Sequence, residues 1–336
     1  MSYSFRNDID KIEWAGKNIF SLFAQKQNIW NPKFWKMLYD ILRFNRMGRL
    51  QSYSGGSGVS TLGDFLEKFK FSREFQDWYL LPMAGAIWSC SAKKIRNYPL
   101  EAFCSFFNNH GLLKNFNRPQ WLTVKGGSRQ YVKKIVASLR DKRISTKVER
   151  INRTGDKLKI WDDQGRCNSF SLVILACHAD EILKMLEDST QLEQNILGNF
   201  QFTSNKAILH TNEDYLPKSR IAHSAWNYIL NSNSDDSEKV TVSYLLNLLQ
   251  PLPTERKIIL TLNPKQKISD RYILDEFQYS HPLLDLKAVK AQGKLQQIQG
   301  INKTFFVGAW TGNGFHESGL NSAIDISRSI DVRLPW

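Results

Sequence analysis

Along NPKFWKMLYDILRF (31–44), the apolar side chains Phe34, Leu38, Ile41 and Leu42 return at helical spacing. Asn31 stands where an N-cap belongs and Pro32 at the first helical position. Two more helices are predicted, TLGDFLEKF from Thr61 with Asp64 at its third position, and SREFQDWYLLPM from Ser72. The first hundred residues therefore read as mainly helical. Between the first two helices, LQSYSGGSGVS (50–60) has no apolar period. Its Gly55, Gly56 and Gly58 follow no strand, which marks a linker and not a phosphate loop.

The period changes after residue 119. WLTVKGGSRQYVKKIVASLRD (121–141) predicts a short strand, a Gly126–Gly127 turn and an amphipathic helix carrying Tyr131, Ile135 and Leu139. STKVERI and KLKIW follow as strands, with DDQG, ending at Gly165, as a hairpin turn. SLVILACHADEILKML (171–186) is a buried run, and KAILH, SAWNYIL, KVTVSYLL and KIILTLN predict short strands between about 200 and 263. The polar insert NSNSDDSE reads as a loop, and helical sequence returns over 282–299. No internal repeat is present. Strand–glycine–helix patterns in separated blocks fit two interleaved domains better than two consecutive ones.

The closing stretch FFVGAWTGNGFHESGLNSAIDI (305–326) places four glycines within twelve residues, between an apolar strand and a helix. Glycine lets main chain approach a ligand closely. The first turn of the helix leaves N–H groups and a partial positive charge unsatisfied. Such a turn suits an anionic or acceptor-rich ligand, a phosphate or the pyrimidine edge of a flavin. Tight packing of helix on strand is the purely structural alternative.

At 336 residues, 42% apolar and 23% charged, the chain has the composition of an ordinary globular protein with room for one large domain or two smaller ones. The net charge of +14 favours anionic partners. It is spread without a block of like charges, as on a lysine-rich solvated surface, and contact with anionic lipid is the next reading. No helix-turn-helix, zinc-finger or RNA-binding signature accompanies it, so nucleic acid is not an expected partner. Cys90, Cys104, Cys167 and Cys177 form no CxxC pair and no metal-ligand spacing with the histidines, and read as reduced thiols. MSYSFRNDID lacks the pattern of a signal peptide, and no apolar stretch approaches the roughly 20 residues that span a bilayer. A cytoplasmic protein, at most peripheral to a membrane, is expected.

GAWTGNGFHESGL (308–320), PQWLTVKGGSRQYV (119–132), YLLPMAGAIWS (79–89), FFNNHGLL (106–113) and VILACHAD (173–180) together resemble the flavin-dependent amine oxidase superfamily. Within it the chain is similar to the bacterial subgroup of predicted NAD/FAD-binding oxidoreductases. The resemblance runs in order over nearly the whole chain. It implies an α/β (mixed α+β) fold, in which a partial FAD/NAD(P)-binding, Rossmann-like domain is interleaved with a helix-plus-antiparallel-sheet substrate domain. The implied segments are 1–118 as a mainly helical substrate or cap segment, 119–190 as the middle of the FAD-binding domain, 191–300 as the substrate-domain sheet and helix, and 301–336 as the closing FAD-binding strand–loop–helix.

By the same implication Gly308 and Ala309, with Trp310, pass the pyrophosphate or ribityl chain of FAD. Gly312, Gly314 and Phe315 continue that loop, and Gly319 and Leu320 offer backbone N–H groups to the isoalloxazine ring. Gly126, Gly127 and Ser128 match the family's second glycine pair, and Val148 matches the strand residue whose backbone meets adenine. His316 is the catalytic candidate, polarising the flavin or handling a proton, with a structural hydrogen bond beside Glu317 as the other reading. Glu317 caps the helix or binds a ribityl hydroxyl. Trp88, His110 and Trp226 are candidates for the wall of a substrate cavity, and Trp121 is a further aromatic in reach of that role. No metal site is expected. The family's substrates, amines and apolar molecules, together with the basic surface, lean toward a lipid-like substrate met at a membrane.

Two positions depart from the superfamily. Ala309-Trp310 stands where an acidic residue is common, which reads as a subgroup trait. The strand–GxGxxG–helix unit, with its acidic residue about 20 positions on, occurs nowhere in the sequence. The N-terminal stretch resembles what the family places after that unit, so roughly 70–90 residues are expected to be absent, the size of a βαβ unit and its extension. A truncated or split gene product, or one whose start codon is placed too late, completed by an N-terminal piece that is encoded separately or lies upstream of Met1, is one expectation. A non-catalytic remnant or binding subunit is a second, and a basic membrane-surface adaptor a third. Without the first helix N-terminus the diphosphate loses its main cradle. The purified polypeptide is therefore expected to bind FAD weakly or not at all, and a stoichiometric yellow complex on titration with FAD is the contrary result.

Overall fold

The computed structural model describes residues 2–54, 61–115, 119–230 and 240–334. The linker glycines Gly55, Gly56 and Gly58 and the insert NSNSDDSE lie outside them. The chain divides into two interleaved compact units, Met1–Ala137 with Ser204–Ser280, and Ser138–Thr203 with His281–Trp336. Each is described by itself. The strands in chain order are β1 (Tyr3–Asn7), β2 (Ile12–Ala15), β3 (Val148–Asn152), β4 (Leu158–Asp162), β5 (Cys167–Phe170), β6 (Val173–Leu175), β7 (Gln201–His210), β8 (Trp226–Leu230), β9 (Val242–Leu245), β10 (Ile259–Leu262), β11 (Ile273–Leu283) and β12 (Thr304–Phe306).

The first unit is built on a seven-stranded sheet of order β11-β7-β10-β9-β8-β1-β2. The first hundred residues are mainly helical, as the period predicts, but they open on two strands that it does not predict. β1 and β2 form an antiparallel hairpin, and β1 runs parallel to β8 with Tyr3 opposite Trp226. Strands of five and four residues are too short to show a period, and β2 is buried at every position, so no alternation marks it. The expected strand over 121–124 does not form, and a helix follows the glycine turn at Arg129–Ser138. The helix predicted from Asn31 runs over Pro32–Ser54, but its buried face is set by Phe34, Met37 and Phe44, while Leu42 is exposed. Phe44 packs against Phe65, Phe71, Phe75 and Phe103, with ring centroids 5.4–6.3 Å apart.

A polar ladder crosses this sheet inside the unit. Ser4 Oγ donates to Asn227 Oδ1 at 2.7 Å, and Asn227 Nδ2 to the Ser243 carbonyl at 3.1 Å. Ser243 and Thr261 share a hydroxyl–hydroxyl bond of 2.8 Å, and Thr261 Oγ1 lies 2.7 Å from His210 Nε2. The Asn212 N–H donates to His210 Nδ1 at 3.0 Å, which leaves Nε2 to carry the proton and donate to Thr261. The ladder thus selects one neutral tautomer, with no second acceptor for an imidazolium.

The second unit holds the three-stranded antiparallel sheet β3-β4-β5 and the parallel pair β6-β12. Its core gathers Ile151, Leu175, Ile182, Ile196, Phe200 and Phe306. Arg153, fully buried, bonds Glu193 at 2.6 and 2.9 Å and Asp188 at 2.9 Å, fixing the end of β3 to the start of the Gln191–Leu197 helix. Burial raises the pKa of Glu193, but the bonds from Arg153 and Thr190 outweigh it and leave the carboxyl below its usual range. No helix among the described residues is long and apolar enough to cross a membrane.

Burial pushes the pKa of His210 from 6.5 down to about 4. Between those values the unfolded chain takes up a proton that the folded chain refuses, so stability falls as pH falls through that window. The loss from this one group amounts to about 3 kcal/mol. Urea unfolding measured along this acid limb should show it, with a shallower limb for His210→Gln, which cannot be protonated.

Candidate functional site

β6 and β12 run parallel with Thr304 opposite Val173 and Phe306 opposite Leu175, so both carboxyl ends open on the same side of the second unit. In open α/β sheets that side is where ligands bind. Past β12 the Val307 N–H donates to the Leu175 carbonyl at 3.0 Å, and the chain turns at Gly308 with φ of 143°. A Cβ there would lie 2.8 Å from Trp310 Nε1. Trp310 itself is buried. Its Nε1 donates to the Cys177 carbonyl at 3.0 Å, and its ring meets Phe200 edge-on at 4.7 Å. The indole thereby ties the loop after β12 to the residue two beyond β6.

The rest of the loop is held by its own bonds. The Gly308 carbonyl accepts from Thr311 N–H at 3.1 Å and Thr311 Oγ1 at 2.8 Å, and the Ala309 carbonyl from Gly314 N–H at 3.0 Å. Gln292 Nε2 donates to the carbonyls of Trp310 and Gly312 at 2.9 and 2.7 Å. The closing helix, His316–Ser329, returns close enough that a Cβ on Gly312 would meet Ser318 Cβ at 2.9 Å. Ser322 Oγ accepts from Gly308 N–H at 3.0 Å, which fixes the second turn of the helix to the strand end. Gly308 and Gly312 are thus demanded by packing, while Gly314 supplies a turn at φ of 82°.

Phe315, the N-cap of the closing helix, offers no side-chain acceptor to the first turn, and Glu317 is the acid in that turn. His316, Glu317 and Leu320 are exposed. The Gly319 N–H is committed to the Phe315 carbonyl at 3.2 Å, inside the helix ladder. This corrects the expectation that Gly319 offers its amide to a ring. The first-turn amides of His316 to Ser318 precede that ladder.

A cavity of about 700 Å³ opens at the carboxyl end of β6, lined among others by Val148, Ile174, Ala176, Cys177, Glu181 and Lys184. Val148, the candidate for adenine, lines this cavity. Burial raises the Cys177 pKa, and the carboxylates of Glu181 and Asp180 raise it further, so the sulfur there stays a neutral thiol. A second cleft of about 260 Å³ runs beside Thr311, Gly312, Asn313, Ser318 and Asp325. A dinucleotide fits these features at its nucleoside end and along the glycine turn. It lacks one part, since no strand–GxGxxG–helix unit is in the sequence to cradle the diphosphate.

Gly126, Gly127 and Ser128 belong to the first unit. Both glycines have positive φ, 80° and 82°, and Ser128 precedes the Arg129–Ser138 helix. Trp88 and His110 come together there through Phe106, at 4.8 and 4.0 Å between centroids, and Trp121 lies 6.3 Å from the His110 ring. Trp226, on β8, is edge-on to Tyr244 at 5.1 Å. Sequence reasoning missed Tyr3 and Trp14. Tyr3 OH, Trp14 Nε1 and Trp88 Nε1 are buried without a hydrogen-bond partner in the first unit, and orphaned donors of that kind are rare in an interior. The aromatic spacing in YSF and IEW was the available signal, hidden by the shortness of both strands. No group of three His, Cys, Asp or Glu among the described residues could hold a metal ion.

Residues 57–330 match the family of flavin containing amine oxidoreductases, and the chain belongs to that family. Among solved structures it is similar to the CLA-producing fatty acid isomerase from P. acnes, at 12% identity over 99% of this chain and 80% of that one, with a TM-score of 0.64. It is also similar to cyclohexylamine oxidase from Brevibacterium oxydans IH-35A, at 10% identity over 98% and 81%, with a TM-score of 0.63. A third is reduced UDP-galactopyranose mutase, at 13% identity over 98% and 78%, with a TM-score of 0.56. Identities this low establish the shared fold alone. No curated protein matches the sequence.

Gly308→Ala should force the strained φ and the clash with Trp310 together, costing about 1–3 kcal/mol. Chemical denaturation measures it, with Leu320→Ala, at an exposed position, expected within about 0.5 kcal/mol of the parent. An unshifted midpoint for Gly308→Ala would remove the packing role assigned to that glycine.

Proposed function

We propose that the chain forms the ring-binding and substrate-binding parts of an FAD-dependent oxidoreductase that oxidises an apolar, lipid-like molecule. This reading also needs a strand–GxGxxG–helix unit, which is not among the 336 residues. The observation that carries it is the glycine turn and uncapped helix start at the carboxyl ends of β6 and β12, beside a cavity of about 700 Å³ edged by Val148. Bound FAD would supply an acceptor for a hydride equivalent. Around it Gly308 and Ala309 would let main chain pass close, the start of the closing helix would face acceptor atoms, and Glu317 would bond a ribityl hydroxyl. His316 holds or moves the proton that leaves the substrate.

The buried carboxylates of the first unit support an apolar substrate over an amine. Glu13 accepts the Lys218 and Ser219 amides at 2.7 and 2.8 Å, and Asp40 accepts the Ser72 amide at 2.8 Å while pairing with Arg43. Neither is left to hold an ammonium group. Trp88, Phe103, Phe106 and Phe107 pack on one another as buried core of the same unit. Among the similar structures, one is of a protein named a fatty acid isomerase.

The test supplements the chain with a polypeptide bearing the missing unit, loads FAD, and follows flavin absorbance without oxygen. Bleaching by an unsaturated fatty acid, lowered about 100-fold in rate by His316→Gln, is the expected outcome. Bleaching by cyclohexylamine alone would reverse the substrate assignment, and a flavin inert to both would reject the redox reading.

A further inference from the structure

The first unit carries an apolar face that its own core does not use. On the Pro32–Ser54 helix, Trp35, Tyr39 and Leu42 recur at one-face spacing and are 50%, 66% and 55% exposed. The short Lys26–Trp30 helix lies against its start, where Trp35 Nε1 donates to the Ile29 carbonyl at 2.8 Å and leaves Trp30 86% exposed. Phe23 packs on the start of the longer helix, with its ring 5.7 Å from Phe34 and from Trp35. Phe20, in the short Ile19–Leu22 helix that precedes both, is 76% exposed. Scattered exposed apolar residues need no explanation, but large aromatics gathered on one short segment do.

The charge on that segment is one-sided. From Gly16 to Gly48 there are four lysines and two arginines against a single carboxylate, Asp40. Asp40 is buried, where it accepts the Ser72 amide and pairs with Arg43, so it offers nothing to the surface. Lys26, Lys33 and Arg46 are exposed, and Lys36 is exposed with Glu74 3.9 Å away. Trp and Tyr with an apolar body and a polar edge, flanked by lysine and arginine, match the boundary between headgroups and acyl chains. A protein partner of similar size would ask for a dry, charge-poor centre. Here the cations alternate with the aromatics along the same turns.

We infer that the segment from Phe20 to Arg46 is a docking surface for an anionic phospholipid bilayer, with Phe20, Trp30, Trp35 and Tyr39 inserting at the headgroup level while Lys26, Lys33, Lys36 and Arg46 meet lipid phosphates. The inference gives a place for the apolar substrate proposed above to be met, but it does not rest on that reading. Vesicle binding is read without cofactor or turnover, so the two can fail separately.

The whole chain is sedimented with vesicles of phosphatidylcholine alone and of phosphatidylcholine with phosphatidylglycerol. Binding is expected to the mixed vesicles, to be weaker for the neutral ones, and to fall with added salt. Trp30→Ser should lower partitioning about tenfold. Lys26→Gln and Lys33→Gln should each lower it about fivefold, whereas Lys157→Gln, an exposed charge of the other unit, should leave it within about twofold. Far-ultraviolet circular dichroism checks that each variant is folded, and the lysine variants, which bury nothing, keep the test open should Trp30→Ser misfold. Equal losses for Lys157→Gln would reduce the effect to net charge and overturn the assignment. So would a lack of binding to anionic vesicles, or a stable dimer in light scattering that Trp30→Ser dissolves while vesicle binding is unchanged, which would give the face to a second copy of the chain.

Discussion

The indole of Trp310 is the point on which the closing site turns. Its N–H reaches across to the Cys177 carbonyl, so the segments that leave β6 and β12 are held at one spacing. Gly308 is then obligatory, since any side chain there would run into that indole. The Gly308 amide and carbonyl are taken by Ser322 and Thr311, and Gln292 ties two carbonyls further along. What remains outward is a run of backbone with little side chain above it and a helix start without a cap.

The second unit supports this arrangement from behind. Arg153, Glu193 and Asp188 form a fully bonded ionic cluster, whose worth lies in fixing geometry more than in net stability, because desolvation offsets much of its attraction. It sits beside Thr304, the first residue of β12, and so sets where the strand begins. The first unit answers a different demand. Its sheet carries a buried polar ladder from Ser4 to His210, every link paired, which specifies one strand register among several that hydrophobic packing would accept. Its helical part buries a phenylalanine cluster and leaves a second aromatic set outside, among lysines.

Much of this was legible in the residues. The closing strand–glycine–helix, the Val148 strand and the hairpin at Gly165 all carry local signals, glycine at positive φ and apolar runs of the right length, and they form where the pattern put them. The hairpin β1–β2 was hidden, because four or five residues cannot display a period and burial on both faces removes the alternation. Leu42 was assigned to a core it does not join. Helical spacing says which residues share a face but not which of two apolar faces meets the protein.

The sequence by itself determined the class of fold, the glycine turn and the family, since each is written in contiguous residues whose local physics is nearly sufficient. Tertiary structure alone decided that Trp310 is an anchor and that Trp30 and Trp35 are left outside. Those outcomes depend on partners more than a hundred residues away, or on which side of a helix another element covers. No local pattern encodes such distant contacts.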